Sequence, residues 1–177
     1  LFTTGALFSG FYAIVASMNG LYEQGAIAIF VAMVLDGFDG RIARMTNTTS
    51  EFGAQYDSLS DCISFGVAPA LVCYSWSLSE LGKVGWMVAF VYAACAALRL
   101  ARFNVQIETA DKRYFTGLPS PAAAAVVAGM VWFGYQQQLS GDATFVAVVA
   151  AAITAFSAGM MVSNGKYSSF KERDFKG

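Results

Sequence analysis

Four stretches of this chain, Leu1–Tyr22, Cys62–Ser79, Tyr114–Gly141 and Ala143–Gly165, contain no Asp, Glu, Lys or Arg. Two more, Gln24–Leu35 and Val84–Leu98, are as apolar but shorter, and run on into charged residues. A helix crossing a bilayer needs ~20 predominantly apolar residues. The hydrophobic share of 56% in 177 residues and the mean hydropathy of +0.52 exceed those of an ordinary soluble domain. The pattern predicts an all-α polytopic membrane bundle in a single domain, residues 1–177. Six spanning helices are expected, roughly over Leu1–Leu21, Ala26–Thr46, Phe52–Leu78, Leu81–Ala101, Pro119–Gln136 and Thr144–Asn164.

The net charge of −1 hides a sorted distribution. Arg41, Arg44, Arg99, Arg102, Lys112, Arg113, Lys166, Lys171, Arg173 and Lys176 fall at alternate helix ends, and Lys83 falls at the others. Basic residues collect on the cytoplasmic side of membrane proteins. The ends after helices two, four and six, and the amino terminus, are therefore expected in the cytoplasm. Leu1–Leu21 has no basic flank and continues into the bundle, so it does not read as a cleavable signal peptide. Nothing in the charge pattern points to nucleic acid. Cys62, Cys73 and Cys95 have neither metal nor redox spacing and read as buried thiols.

Against this apolar background, the segment DGFDGRIARMTNTTSEFGAQYDSLSD, Asp36 to Asp61, concentrates Asp36, Asp39, Asp57 and Asp61. Asp36 and Asp39 are three apart and share a helix face; Asp57 and Asp61 are four apart and share another. From Gln24 to Asp36 is ~18 Å of helix, which sets Asp36 near the inner boundary of a ~30 Å hydrocarbon core. The next helix runs the other way, so both acidic faces reach one depth. Small residues, Gly40, Ala43 and Gly53, lie beside the carboxylates and leave room for a ligand. Ionisable groups at membrane depth usually mark function, and crowded carboxylates are relieved by cations. With no histidine in the chain, all-oxygen ligation suits Mg²⁺, Mn²⁺ or Ca²⁺ rather than Zn²⁺. Such ions are commonly shared with substrate phosphates.

Other residues leave two readings open. Thr49 or Ser50 suits the start of helix three, and Ser50 either caps that helix or contacts a phosphate at its amino terminus. Arg99 and Arg102 either anchor the helix on lipid headgroups or bind a carboxylate or phosphate. Ser64, Gly66 and Pro69 are expected to bend or thin helix three. Thr3 and Thr4 lie at the cytoplasmic end of helix one, within reach of a ligand. Trp76, Trp86 and Tyr74 suit the outer interfacial belt. A polar loop is expected from Val105 to Phe115, and the tail from Lys166 reads as membrane-surface contact.

The acidic segment resembles the signature of the CDP-alcohol phosphotransferase family, D-x2-D-G-x2-A-R-x8-G-x3-D-x3-D. Asp36, Asp39, Gly40, Ala43, Arg44, Gly53, Asp57 and Asp61 match it in type and spacing. The resemblance implies a homodimeric integral membrane enzyme that displaces CMP from a CDP-linked substrate. It implies metal ligation by Asp36, Asp39 and Asp57, with Asp61 as a fourth ligand or as general base on the acceptor hydroxyl. Gly40 and Ala43 would leave space for cytidine, with Gly53 in the same lipid-nucleotide site, and Arg44 and Ser50 would contact the diphosphate. Thr3 is similar to the threonine of an entrance motif common in the family.

The segments RLARFN, DKRYFTGLPSPAAA and SLSDCISFGVAPA further resemble the bacterial membrane-integrated phosphatidylserine synthases within that family. That resemblance implies CDP-diacylglycerol and L-serine as substrates, a place in the bacterial cytoplasmic membrane among its lipids, and an active site facing the cytoplasm. It also implies a chain that runs on past Gly177. A small zwitterionic acceptor needs a fixed cation, and Arg99 or Arg102 is the expected partner of the serine carboxylate. Another acceptor, glycerol 3-phosphate or an inositol phosphate, is the alternative within the family. A divalent-cation transporter is the alternative outside it, opposed by carboxylates gathered towards one side of the membrane.

Overall fold

The structure is a computed structural model that describes residues 2–46, 50–107, 114–139, 143–163 and 166–168. Its helices are α1 (Phe2–Met18), α2 (Tyr22–Thr46), α3 (Glu51–Asp61), α4 (Ala68–Trp76), α5 (Lys83–Ile107), α6 (Ser120–Gln136) and α7 (Ala143–Val162). A π-helical turn, Cys62–Val67, joins α3 to α4 without a break, so the two form one rod. Six rods result among the described residues, the number of helices the sequence predicts. Glu51–Trp76, Lys83–Val105 and Ala143–Val162 are long and apolar enough to cross a membrane. Phe2–Met18 is apolar but only 17 residues long, ~25 Å of helix. The chain is a membrane helix bundle.

Several boundaries differ from expectation. Helix α1 stops at Met18 rather than Leu21, because Gly20 takes a left-handed φ of +76°. The Leu21 N–H then donates to the Ala16 carbonyl at 2.9 Å and Gly20 N–H to Ser17 at 3.1 Å, the closure that ends many helices at glycine. Helix α2 starts at Tyr22, before the expected Ala26, and α5 runs on to Ile107, past the expected Ala101. The polar loop expected from Val105 is therefore shorter. It also contains a strand, β1 (Tyr114–Thr116), paired antiparallel with β2 (Lys166–Ser168) at the head of the tail. This ribbon fastens the entry to α6 beside the exit of α7, where Leu118 N–H also donates to Met160 at 3.0 Å. Most of the tail lies outside the described residues.

The expected irregularity in helix three is the π turn. Pro69 has no N–H for the Phe65 carbonyl four residues earlier. The fully buried Tyr92 of α5 donates its hydroxyl to that carbonyl at 3.2 Å. Gly66 lies against α5, where a Cβ would come within 3.0 Å of the Ala96 Cβ.

The core is built mainly of small residues. Ala13, Ala26, Ala32, Ala68, Ala96, Ala123, Ala124 and Ala128 are buried, with Tyr92, Phe65, Ile29, Leu78 and Met161 among the larger members. Small side chains let backbones approach closely where lipid offers no hydrophobic drive to associate. α1 packs along α2, α2 along α6, and α5 along α7. The carboxyl-terminal half of α2, the start of α3, the end of α5 and the start of α6 meet at one end of the bundle. Glu23, held by Trp132 Nε1 and Gln136 Nε2 at 3.2 Å each, marks the opposite end.

Candidate functional site

Ser50 sets where α3 begins. Its backbone is extended (φ −109°, ψ 153°), and its Oγ accepts from Gly53 N–H at 3.0 Å. Glu51 follows in the first turn, where negative charge suits the helix dipole. Capping is thus realised for Ser50, while the alternative cap Thr49 lies outside the described residues. From this start, Asp57 and Asp61 turn towards α2.

Asp36, Asp57 and Asp61 each present a carboxylate oxygen, and these three oxygens lie within 4.8 Å of one another. The carboxyl groups of Asp36 and Asp61 approach to hydrogen-bonding distance. All three residues are half-buried. Oxygens that share one cation lie at most about twice the metal–oxygen distance apart, ~4–5 Å for Mg²⁺, Mn²⁺ or Ca²⁺. The donor set and spacing fit a hard divalent cation.

Asp39, expected as a metal ligand alongside Asp36 and Asp57, is not in this group of three, and Asp61 is. It accepts a hydrogen bond from Thr3 Oγ1 of α1, while remaining close enough to Asp57 for their charges to interact. Thr3 is thereby part of the acidic end, as its position on α1 suggested. Thr4 Oγ1 and Tyr56 Oη are 3.2 Å apart. Further along the same contact, Ser60 Oγ donates to the Thr3 carbonyl at 3.2 Å and Ser64 Oγ to the Ala6 carbonyl at 3.1 Å. These hydroxyl-to-carbonyl bonds lock α1 against α3 and the π turn. At their foot lies Gly10, where a Cβ would come within 2.6 Å of Ser64 Oγ and 2.8 Å of its Cα.

The expected arginine pair is split by burial. Arg99 is half-buried, and its Nη1 donates to Ser120 Oγ at 3.1 Å. It lies close enough to Asp61 for their opposite charges to interact. Arg102, one turn on, is exposed. Asn104 joins the end of α5 to α3, its side-chain amide pairing with the Ser58 hydroxyl at 3.0–3.1 Å. Gly40 is half-buried and Gly53 exposed. The side chains of Ala43 and Arg44 lie outside the described residues.

Sequence reasoning missed Tyr56, Ser58 and Ser120. Nothing in local spacing shows which helix a hydroxyl will face. A cavity of about 570 Å³, lined by Tyr22, Trp76, Glu80 and Tyr135 among others, lies at the opposite end of the bundle.

Asp36 of α2 and Asp57 and Asp61 of α3, which meet here, stand at three of the four aspartate positions of the family signature. The family model for CDP-alcohol phosphatidyltransferase matches residues 1–160. The chain belongs to this family. Among CDP-alcohol phosphatidyltransferases of curated function, it is 36% identical over 178 residues to the CDP-diacylglycerol–serine O-phosphatidyltransferase of Helicobacter pylori (strain ATCC 700392 / 26695). That match covers 97% of this chain and 72% of the relative. It is 37% identical to the archaetidylserine synthase of Methanothermobacter thermautotrophicus, over 79% of this chain and 60% of the relative. It is 38% identical to the CDP-diacylglycerol–serine O-phosphatidyltransferase of Saccharomyces cerevisiae, over 71% of this chain and 50% of the relative.

Proposed function

We propose that this CDP-alcohol phosphatidyltransferase transfers the phosphatidyl group of CDP-diacylglycerol to the hydroxyl of L-serine, giving phosphatidylserine and CMP. The carrying observation is the meeting of Asp36, Asp57 and Asp61 beside Arg99. An acidic set suited to a cation-bridged diphosphate thus adjoins a cation suited to an amino-acid carboxylate. Relatives named for serine transfer in bacteria and yeast support the same acceptor.

Asp36, Asp57 and Asp61, with Asp39 at their edge, would hold Mg²⁺ or Mn²⁺, with Ca²⁺ as the third possibility. When bound, the ion supplies charge neutralisation for the diphosphate and for the departing CMP. The chain's own residues do the rest. Gly40, Ala43 and Gly53 leave room for the nucleotide, and Arg44, Ser50 and Thr3 are placed in sequence to contact it. Asp61 accepts the proton of the serine hydroxyl. The serine oxygen bonds to the phosphorus that carries the diacylglycerol, and the bond from that phosphorus to the bridging oxygen breaks. CMP leaves with the electron pair. Arg99, with Arg102 beside it on α5, takes the serine carboxylate. Holding acceptor and phosphorus in line supplies much of the rate.

The sorted basic residues support a cytoplasmic site in the bacterial inner membrane. By the family resemblance, the working unit is a homodimer.

An acceptor panel tests the reading. Purified protein with CDP-diacylglycerol and a divalent cation is expected to release CMP with L-serine at least tenfold faster than with glycerol 3-phosphate or inositol phosphate. Faster release with a phosphorylated acceptor would overturn the choice of serine. Ion flux in vesicles without CMP release would favour transport instead.

A further inference from the structure

Arg99 and Ser120 meet where α5 ends and α6 begins, beside the acidic cluster. Ser120 is fully buried. It stands at the start of α6 between Pro119, with φ −57° and ψ 138°, and Pro121. Two flanking rings leave the backbone here little freedom, which fixes where the Ser120 side chain starts. Arg99 Nη1 donates to it at 3.1 Å. On the other edge of the guanidinium, the Nε–H is buried and has no hydrogen-bond partner among the described residues.

A buried donor on a cation is costly to leave without an acceptor. The edge of an arginine that carries Nε–H is one of the two forks that fit a carboxylate in two-point contact. Ser120 takes the opposite edge. Its hydrogen bond therefore fixes the rotation of the guanidinium plane and leaves the Nε–H as the donor still to be matched, with Asp61 near enough for the opposite charges to interact.

We propose that Ser120 is a positioning residue for acceptor recognition, holding Arg99 so that its Nε–H edge receives the carboxylate of the amino-acid acceptor. The proposal rests on the reading of serine as that acceptor. It differs from a packing role, in which any small residue at this helix contact would serve.

The test uses the purified chain, CDP-diacylglycerol, and two acceptors that differ only at the relevant group: L-serine, and serinol, whose CH₂OH replaces the carboxylate. Ser120→Ala is expected to raise the serine KM about tenfold, the loss of one hydrogen bond to a charged group. It should leave the CDP-diacylglycerol KM and the serinol kinetics within about twofold of wild type, and Ser120→Thr should restore the serine KM. Ser157→Ala, which removes another buried hydroxyl that donates at 2.9 Å to Ile153 within α7, should leave the serine KM unchanged.

Equal losses with serine and serinol, equal shifts in both substrate KM values, or no change at all in Ser120→Ala would overturn the proposal. So would a Ser120→Thr protein that melts like wild type but keeps the raised serine KM. If the wild-type chain releases no CMP with serine, the acceptor reading itself fails and takes this proposal with it. That outcome is visible before any variant is made.

Discussion

Asp61→Asn is expected to lower serine-dependent CMP release by at least about a thousandfold while leaving the fold intact. Asp61 shares its corner with Asp36 and Asp57 and lies near enough to the proposed acceptor cation Arg99 for their charges to interact. An amide keeps the size and one oxygen of the side chain, but it cannot take the serine proton. Losing a positioned base alone costs a factor of 10²–10⁴, and weakened cation ligation adds to it. Stability should move the other way. Three acidic side chains within 4.8 Å repel each other when no cation lies between them. In excess chelator, Asp61→Asn should melt at the wild-type temperature or above it. A variant with near-normal turnover would remove Asp61 from the chemistry. One that is inactive because it melts early would make its role structural.

The second large effect is mechanical. Gly10→Ala places a methyl group within 2.8 Å of the Ser64 Cα, a backbone atom that a rotamer change cannot move. Helix α1 or the π turn must shift. Overpacking of this kind costs roughly 1–3 kcal/mol. The same shift pulls Thr3 from Asp39 and loosens the bonds from Ser60 and Ser64 to α1, so activity should fall with stability. Gly159→Ala is the matched control. A Cβ there meets nothing within 4 Å among the described residues, and helix propensity favours alanine by ~1 kcal/mol. Thermal melting of the two variants in one detergent checks the contrast. Equal melting temperatures would mean that α1 and the π turn are not in the contact described.

What the sequence made legible follows from local rules. Spacings of three and four put Asp36 with Asp39 and Asp57 with Asp61, and the apolar runs set the depth at which the two faces meet. The structure keeps that meeting for Asp36, Asp57 and Asp61. It differs at Asp39, because the partner, Thr3, sits 36 residues away on α1 and no local period records which helices touch. Arg99 and Arg102 were equivalent in the sequence. They diverge because the contact with Ser120 of α6 draws only Arg99 inward.

The same limit explains the fold. Gly66 and Pro69 announced an irregularity. Its form, a wide π turn, is accompanied by the Tyr92 hydroxyl on the Phe65 carbonyl, 27 residues on. The ribbon joining Tyr114–Thr116 to Lys166–Ser168 pairs segments separated by two helices, and three-residue strands leave no alternation to read. Gly20 was available as a stop signal for α1, and the long apolar run from Leu1 masked it.

The central claim is that Asp36, Asp57 and Asp61 together form one divalent-cation site that grips a CDP-linked lipid. Electron paramagnetic resonance of Mn²⁺, titrated into the purified chain with and without CDP-diacylglycerol, tests it directly. The account predicts saturable binding that tightens when the lipid nucleotide is present, and that weakens at least tenfold in Asp57→Asn. Mn²⁺ binding that is the same in Asp57→Asn and wild type, or that ignores CDP-diacylglycerol, would contradict it.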